Sequence, residues 1–268
     1  MKLGGRLLVA VFAALVILPV AWIMLSALKS NQQILESPWI MPIPPRFDNF
    51  GKALAEQDLG RAMILSLLAT AATMAFLMPI GSAAAYALAR FKFWGSQALF
   101  GLLTAGLLFP NLLAAVPLVM LLAQSGWDDT LAGLVAAYVA YSLAFTIFVM
   151  HGFFGALPEE LAEAAEIDGA TDARVFWSVM LPLARPGLLV VALFNIIGLW
   201  NEYNLAKVIL VREKTLPVGL ADLISQQQYA GEWGALYAGA VLVMFPVLVV
   251  YWLLKERIQQ AMLAGAIK

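Results

Sequence analysis

Few residues of this sequence have types and spacing that could carry out chemistry. The chain has one histidine, His151, and no cysteine, which leaves little scope for a metal site or a reactive thiol. It has no G-x-x-x-x-G-K-[ST] phosphate loop, because Gly51-Lys52 has no upstream glycine and is followed by Ala53. No Ser/His/Asp arrangement is apparent either. The sequence therefore predicts no catalytic residue, no metal site and no cofactor bound by this chain, which is not expected to be an enzyme.

The remaining polar residues of interest interrupt an apolar run that follows Pro186. They are Asn195, Trp200, Asn201, Glu202 and Asn204. A carboxylate and amides inside a membrane span are costly and are typical of functional sites. At about 100° per residue, Asn195 and Glu202 share one side of a helix, while Asn201 and Asn204 share another. Two interpretations stay open: this broad polar face lines a solvated cavity, or it forms a polar seam between packed helices.

The elements that position these residues follow from the composition. Hydrophobic residues make up 63% of the chain and charged residues 12%, and the mean hydropathy is +0.87. A soluble domain has about half apolar and about a quarter charged residues. The chain is therefore predicted to be an all-α polytopic membrane protein. Its net charge of −1 gives no reason to expect a nucleic-acid partner.

Six apolar segments are long enough to cross about 30 Å of hydrocarbon as helices. They are residues 7–28, 63–89, 97–123, 131–155, 187–210 and 234–254, within a single domain of residues 1–268. The first, of 22 residues, exceeds the usual apolar region of a signal peptide, about 7–15 residues, and is predicted to be an uncleaved span. Pro110, Asn111 and Pro117 are expected to perturb the third span.

The most polar interval between spans, residues 156–185, is predicted to contain two short helices. Pro158 fits the first position of one helix, and Gly169 is suited to the left-handed turn that ends it. Thr171 can cap the second helix, and Pro182 can end it. The apolar stripe of this second helix consists of Val175, Phe176, Val179 and Met180.

This interval resembles one family signature closely. Glu163-Ala164-Ala165, three further residues, Gly169, nine further residues and then Val179-Met180-Leu181-Pro182 match the EAA loop of ABC importer permeases, with Val179 in place of the usual isoleucine. The resemblance implies a cytoplasmic coupling loop that docks into a cleft of an ATPase subunit. Its expected contact residues are Glu163, Ala164, Ala165, Gly169, Leu181 and Pro182.

A softer resemblance lies in the fifth span, where Trp200-Asn201-Glu202-Tyr203 is similar to the WNEF-type segment of sugar-importer permeases. In those permeases this helix borders the translocation cavity. The resemblance therefore implies that the polar residues of this span border the pathway: Asn195, Trp200, Asn201, Glu202 and Asn204. The chain is thus similar to the six-span permease of maltose-type systems, and a sugar or an oligosaccharide is the expected solute. Related permeases carry glycerol-phosphate esters, which the sequence does not exclude.

The resemblance also implies partners and a location. A second, different permease would complete the pore, two ATP-binding cassette subunits would bind ATP and Mg, and an extracytoplasmic binding protein would deliver the solute. The chain would lie among the lipids of the inner membrane, with both termini cytoplasmic. An ion-coupled secondary transporter is the alternative of another class. It would be expected to show a relay of intramembrane carboxylates, and only Glu202 is available.

Overall fold

The computed structural model describes the backbone of residues 3–266, and their side chains except those of residues 3, 111, 227–230, 254 and 256–266. Within that part of the chain the regular structure is helical, as predicted, and no strand is present. In chain order the helices are α1 (Leu3–Ser26), α2 (Asn31–Glu36), α3 (Asp48–Gly51), α4 (Leu59–Arg90), α5 (Ser96–Ala105), α6 (Asn111–Gln124), α7 (Leu131–Gly155), α8 (Glu160–Ile167), α9 (Asp172–Val175), α10 (Leu181–Leu183), α11 (Arg185–Trp200), α12 (Asn204–Ile209), α13 (Leu216–Ala230) and α14 (Trp233–Ala266).

Four of these helices are long and apolar enough to cross a membrane. The qualifying segments are Gly4–Ser26, Leu59–Arg90, Leu131–Gly155 and Trp233–Leu253. Two further candidate spans are bent pairs: Ser96–Leu108 with Leu112–Gln124, at 109°, and Asp172–Leu183 with Arg185–Trp200, at 76°. If each bent pair counts as one span, the described residues hold up to six spans by length and composition, which is consistent with the predicted number.

The third predicted span, residues 97–123, is not one continuous helix. Helix α5 passes into a 3-10 turn at Gly106–Leu108, and the chain then becomes extended at Phe109. Pro110, which lacks an N–H and disfavours a helical residue before it, stands at the start of α6. Pro117 lies inside α6 without ending it.

The fifth predicted span, residues 187–210, is also divided. Helix α11 ends at Trp200, and the short helix α12 begins at Asn204. The break falls within the polar run at residues 200–204. These polar residues therefore lie at an interruption of the helix and do not share one continuous helical face.

The described part of Met1–Ile64 and Thr215–Val247 forms one compact unit. The loop after α1 is fixed in this unit by polar contacts, which include buried ones. The amide nitrogen of Asn49 donates to the carbonyl oxygens of Ala27 and Lys29, both at 2.8 Å, and the Lys29 ammonium donates to the carbonyl of Pro38 at 2.6 Å. The loop is therefore packed against the end of α1.

The described part of Leu65–Lys214 and Leu248–Lys268 forms the second unit, in which α7 packs against α5 and α11. Gly81 lets α4 approach α7 closely, because a Cβ at that position would lie 2.5 Å from Cγ2 of Thr146. One cluster of buried residues, called the loop core below, joins the C-terminal end of α7 to its neighbours. It contains Ala85, Tyr86, Ile147, Met150, Phe154, Val175, Phe176, Met180, Ala184 and Val191.

Candidate functional site

The first half of the 156–185 loop is a helix with a defined end. Helix α8 stops where Gly169 takes φ +83°, the left-handed conformation predicted for it. The N–H of Ala170 donates to the carbonyl of Ala165 at 2.9 Å, and the N–H of Gly169 donates to that of Glu166, also at 2.9 Å. These two bonds form a Schellman motif, which satisfies the last carbonyl groups of the helix and sets the direction of the following chain.

The second half of the loop begins at α9, as predicted, but Thr171 does not cap it through its side chain. After α9 the chain makes a π-helical turn at Phe176–Met180 and continues through α10, so Pro182 does not end the helical segment at once. The predicted apolar stripe is correct in position. Val175, Phe176 and Met180 are buried in the loop core, and Val179 packs against it.

The six predicted contact residues of this loop divide between two sides. Glu163, Ala164, Gly169 and Pro182 are exposed. Ala165 and Leu181 are half-buried and pack against the loop core. The exposed set is available to a partner, whereas Ala165 and Leu181 hold the loop to its own chain.

Beneath the loop, aromatic residues link it to α4 and α7. The ring of Tyr86 lies 5.4 Å from that of Phe154 and 5.2 Å from that of Phe176. The guanidinium of Arg90 donates from Nη2 to the carbonyl of Leu157 at 2.6 Å, at the start of the loop. Arg90 directly follows the second predicted span, residues 63–89, and nothing in the sequence indicates this contact.

The polar residues of the fifth span have different surroundings. Asn195 is buried, and its amide nitrogen donates to Oγ1 of Thr146 at 3.1 Å and to the carbonyl of Val191 at 3.0 Å. Trp200 is buried, while Asn201 is exposed and donates to the carbonyl of Ile197 at 2.8 Å. Asn204 is exposed at the start of α12.

Glu202 anchors the break between α11 and α12. Its carboxylate accepts hydrogen bonds from the N–H groups of Leu205 and Ala206, at 2.8 and 3.0 Å. N–H groups in the first turn of a helix have no acceptor within the helix itself. The carboxylate also accepts the hydroxyl of Tyr138 on α7 at 2.9 Å. The Glu202 carboxylate therefore stabilises the first turn of α12 and connects α12 to α7.

A cavity of about 400 Å³ lies beside Asn195 and Glu202. The 3-10 turn, α7 and α11 supply its walls. Its lining consists of Gly106, Leu107, Tyr141, Ser142, Phe145, Phe194, Asn195, Gly198, Leu199 and Glu202. Trp200, Asn201 and Asn204 are outside this lining, so the structure separates the five predicted pathway residues into two groups.

The loop before α7 is fastened by Asp129. Its Oδ1 accepts the N–H groups of Val211 and Arg212 at 2.7 and 3.0 Å, and its Oδ2 lies 3.3 Å from Nε of Arg212. The hydrogen bonds from the Arg212 and Val211 backbone hold the pKa of the Asp129 carboxyl below its usual value. In the sequence this aspartate has no basic neighbour, and the partner comes from a segment 83 residues away.

The sequence model of a family described as the binding-protein-dependent transport system inner membrane component matches residues 77–262. The chain belongs to this family. The permease is 38% identical over 263 residues to the diacetylchitobiose uptake system permease protein NgcG of Streptomyces coelicolor, with 97% of the chain and 87% of the relative covered. It is 31% identical over 254 residues to the trehalose transport system permease protein SugB of Mycobacterium tuberculosis, with 94% and 92% covered.

A solved structure shares the fold of the permease. It is the crystal structure of a bacterial ABC transporter involved in the import of the acidic polysaccharide alginate, and its matching chain gives a TM-score of 0.79 at 23% identity, over 94% of each chain. The permease is thus an inner-membrane component of an ABC transport system, with a transport role rather than an enzymatic one. This assignment agrees with the resemblance found in the 156–185 loop.

In the permease, sequence reasoning found Asn195 and Glu202 but missed most of the cavity around them. In the sequence, Tyr141 and Phe145 cannot be distinguished from other residues of an apolar span, and Gly198 has no side chain that would indicate a site. One available signal was their spacing. Residues 138, 141, 142 and 145 of α7 recur at helical intervals and face Glu202 or the cavity.

Proposed function

We propose that this permease forms half of the translocation pathway for a neutral sugar or oligosaccharide in an ATP-driven importer. A second, different permease supplies the other half, two ATP-binding subunits bind ATP and Mg, and an extracytoplasmic binding protein delivers the solute. In this proposal the 156–185 loop is cytoplasmic, as are both termini. The observation that carries the proposal is the exposed side of that loop, formed by Glu163, Ala164, Gly169 and Pro182 on a loop whose other side is packed into the chain.

The choice of solute rests on the relatives. Relatives that are named for a solute include permeases for diacetylchitobiose, trehalose and starch degradation products, and none of these three is charged like a phosphate ester. The proposal therefore takes a neutral oligosaccharide as the solute class rather than a glycerol-phosphate ester.

The loop is proposed to act as a rigid body. ATP-driven closure of the ATPase pair would move Glu163 and Ala164, and the loop core would pass that displacement to α4 and α7, because a closely packed interior deforms little. The broken fifth span would then change its exposure to the two sides of the membrane.

The test is transport by the reconstituted complex. The permease is co-expressed with its second permease, ATPase and binding protein, and the purified complex is placed in proteoliposomes. Uptake of labelled diacetylchitobiose, trehalose and glycerol 3-phosphate is then measured with and without internal ATP. Uptake of a disaccharide that requires both ATP and the binding protein is the expected result. Uptake driven by an ion gradient without ATP would show a secondary transporter, and uptake of glycerol 3-phosphate alone would replace the solute class.

A further inference from the structure

A groove opens on the surface between α6 and the first turns of α7. Leucine side chains of α6 form its walls, and small side chains of α7 form its floor and leave the space open. Its volume is about 280 Å³. We call it the leucine groove. Besides Ser125 and Trp127, which follow α6 in the chain, the residues that line it are Leu118, Leu121, Leu122, Ala136, Ala137 and Ala140.

The leucine groove has the depth of one lipid leaflet. Helix α7 begins at Leu131, and at 1.5 Å per residue Ala140 lies about 14 Å along it. The hydrocarbon of one leaflet is about 15 Å thick, half of a bilayer core of about 30 Å. Trp127 stands just before α7 and is 49% exposed, and tryptophan favours the boundary between lipid and water. The groove therefore extends from the membrane surface into the acyl-chain region.

Below Trp127 the described lining of the groove is hydrocarbon apart from Ser125. The Ser125 hydroxyl is already engaged, because it donates to the carbonyl of Leu121 at 2.9 Å. A polar molecule would lose hydrogen bonds to water in such a groove, whereas burial of a hydrocarbon chain is favourable. The lining therefore selects an apolar occupant at this depth.

An oriented cation lies beyond the mouth of the groove. Trp127 and Asp129 are two residues apart, so at most about 7 Å of chain separates them. Oδ2 of Asp129 lies 3.3 Å from Nε of Arg212, whose side chain is 90% exposed. The terminal nitrogens of this guanidinium make no hydrogen bond with any described residue. Arg212 is thus oriented by Asp129 and has free donors, an arrangement that suits a phosphate group.

We propose that the leucine groove holds an acyl chain of one membrane phospholipid, and that Arg212 binds the phosphate of the same molecule. The glycerol region lies beside Trp127, and the phosphate accepts hydrogen bonds from the terminal nitrogens of Arg212. The exposed carboxylate of Asp128 is next to this headgroup site and disfavours a net negative charge there. A zwitterionic phospholipid is therefore the expected ligand. This lipid site goes beyond the proposed function and does not depend on the solute.

A helix of the second permease is the competing occupant of the groove. Such a helix could cover the leucines, but it would also need an acidic group at the membrane surface to pair with Arg212. A phospholipid has both parts in one molecule, an apolar chain of leaflet length and a phosphate at the end of it. The combination of an apolar groove one leaflet deep with a cation beyond its mouth therefore favours the lipid.

Native mass spectrometry of the purified complex, with its partner subunits present, tests the proposal. The complex is delipidated in mild detergent and titrated with dioleoylphosphatidylethanolamine. Ala140 is exposed and lines the groove, so Ala140→Phe fills it from the floor. Affinity for the most tightly bound lipid is expected to fall about tenfold or more. Ala132→Phe, at an exposed position of α7 outside the lining, is the matched control and should stay within about twofold of wild type.

A second variant, Arg212→Gln, separates the headgroup contact from the acyl-chain contact. Affinity for dioleoylphosphatidylethanolamine is expected to fall about three- to fivefold, because an exposed ion pair contributes modestly. Dioleoylglycerol, which has the same chains and no phosphate, should bind wild type and Arg212→Gln equally. Arg46→Gln is the control, because Arg46 is another exposed arginine that pairs with a carboxylate, that of Asp48 at 3.7 Å.

The site would be overturned if Ala140→Phe and Ala132→Phe bound the phospholipid with equal affinity. Failure of Ala140→Phe alone to assemble with the second permease would also overturn it, because a protein helix would then cover the groove. Unchanged affinity in Arg212→Gln would remove the phosphate contact, and tighter binding of dioleoylphosphatidylglycerol would contradict the preference for a zwitterion. None of these measurements requires transport, so their failure is distinct from failure of the proposed function.

Discussion

Helix α7 of the permease borders two regions that differ in how their space is filled. At its C-terminal end, where the 156–185 loop begins, the rings of Tyr86, Phe154 and Phe176 close the space between helices. Nearer its middle, a cavity of about 400 Å³ remains open beside Asn195. Both regions lie in one compact unit and use the same helix as a wall.

The packed loop core and the open cavity are suited to two different physical tasks. A closely packed cluster has low compressibility, so a displacement of the loop is passed to α4 and α7 with little loss. An open cavity cannot transmit force in that way, but it leaves space that a molecule can occupy. The comparison therefore predicts that truncations in the loop core cost more stability than substitutions at residues that line the cavity.

The strongest test of this contrast is Phe176→Ala. Phe176 is 6% exposed and lies in the loop core, so its truncation removes contacts with Tyr86 and Phe154 and leaves a cavity. Stability is expected to fall by about 3–5 kcal/mol. Thermal unfolding of the purified complex measures the effect, and Trp177→Ala, next in sequence but 54% exposed, is the control. Equal losses for the two variants would mean that the loop core is not a packed unit.

Two alanines of the loop provide the next test. Ala165 is half-buried against the loop core, so Ala165→Trp is expected to destabilise the loop itself, by about 1–3 kcal/mol. Ala164 is exposed, and Ala164→Trp should leave stability within about 0.5 kcal/mol. Stimulated ATP hydrolysis should be lost in both, for different reasons. Unchanged hydrolysis in Ala164→Trp would remove the exposed side from the proposed ATPase contact.

The contrast between the two regions also explains what the sequence could predict. The loop was predictable because its determinants are local: helical spacing places Val175, Phe176 and Met180 on one stripe, and Gly169 marks the turn. The cavity was not, because it needs Gly106, Tyr141 and Gly198 to meet from three separate helical segments. Only the polar residues of the fifth span, which are costly in an apolar run, pointed to it.

Expectations from local sequence patterns were also incomplete or wrong within individual helices. The third span was expected to be perturbed by Pro110, but the periodicity of an apolar run contains no signal for a bend of 109°. Thr171 has the right type and position for a cap, yet its hydroxyl makes no capping bond. In both cases the sequence pattern indicates where a helix begins or is interrupted, but it does not give the geometry found there.

Substitutions at two glycines with open space around them are expected to have smaller effects on stability, and the two effects should have opposite signs. Neither Gly169 nor Gly198 would place a Cβ within 4 Å of another atom, but Gly169 has φ +83°. Gly169→Ala should therefore cost about 1–2 kcal/mol of backbone strain. Gly198→Ala, inside α11, should gain about 0.5–1 kcal/mol. Thermal unfolding of the two variants gives the sign of each stability change. A loss of stability in Gly198→Ala would indicate that the cavity is closed in the assembled complex.

Arg90→Met is expected to have a weaker effect on stability. The bond from Arg90 to the carbonyl of Leu157 would contribute about 1.5–3 kcal/mol as a charged hydrogen bond. However, Nε of Arg90 is buried and has no partner among the described residues, and methionine removes that unpaired group as well. We expect a net loss of about 1 kcal/mol. Hydrogen exchange at residues 157–160 should rise, while Lys92→Met, at an exposed position, should leave it unchanged.

At the N-terminal end of α7, Asp129 joins the preceding loop to Val211 and Arg212. The pKa of Asp129 is lowered in the folded chain by these backbone hydrogen bonds. A carboxyl with a lowered pKa stabilises the fold fully above its unfolded pKa of about 3.9, and the contribution is lost as pH falls through the folded pKa. The difference in melting temperature between wild type and Asp129→Asn should therefore be constant near neutral pH and shrink below about pH 4. Asp128→Asn, at an exposed neighbouring position, is the control for the loss of one carboxylate from this loop. A difference for Asp129→Asn that persists at the lowest pH would mean that its oxygens act through geometry alone, and that the charge of Asp129 does not stabilise this end of α7.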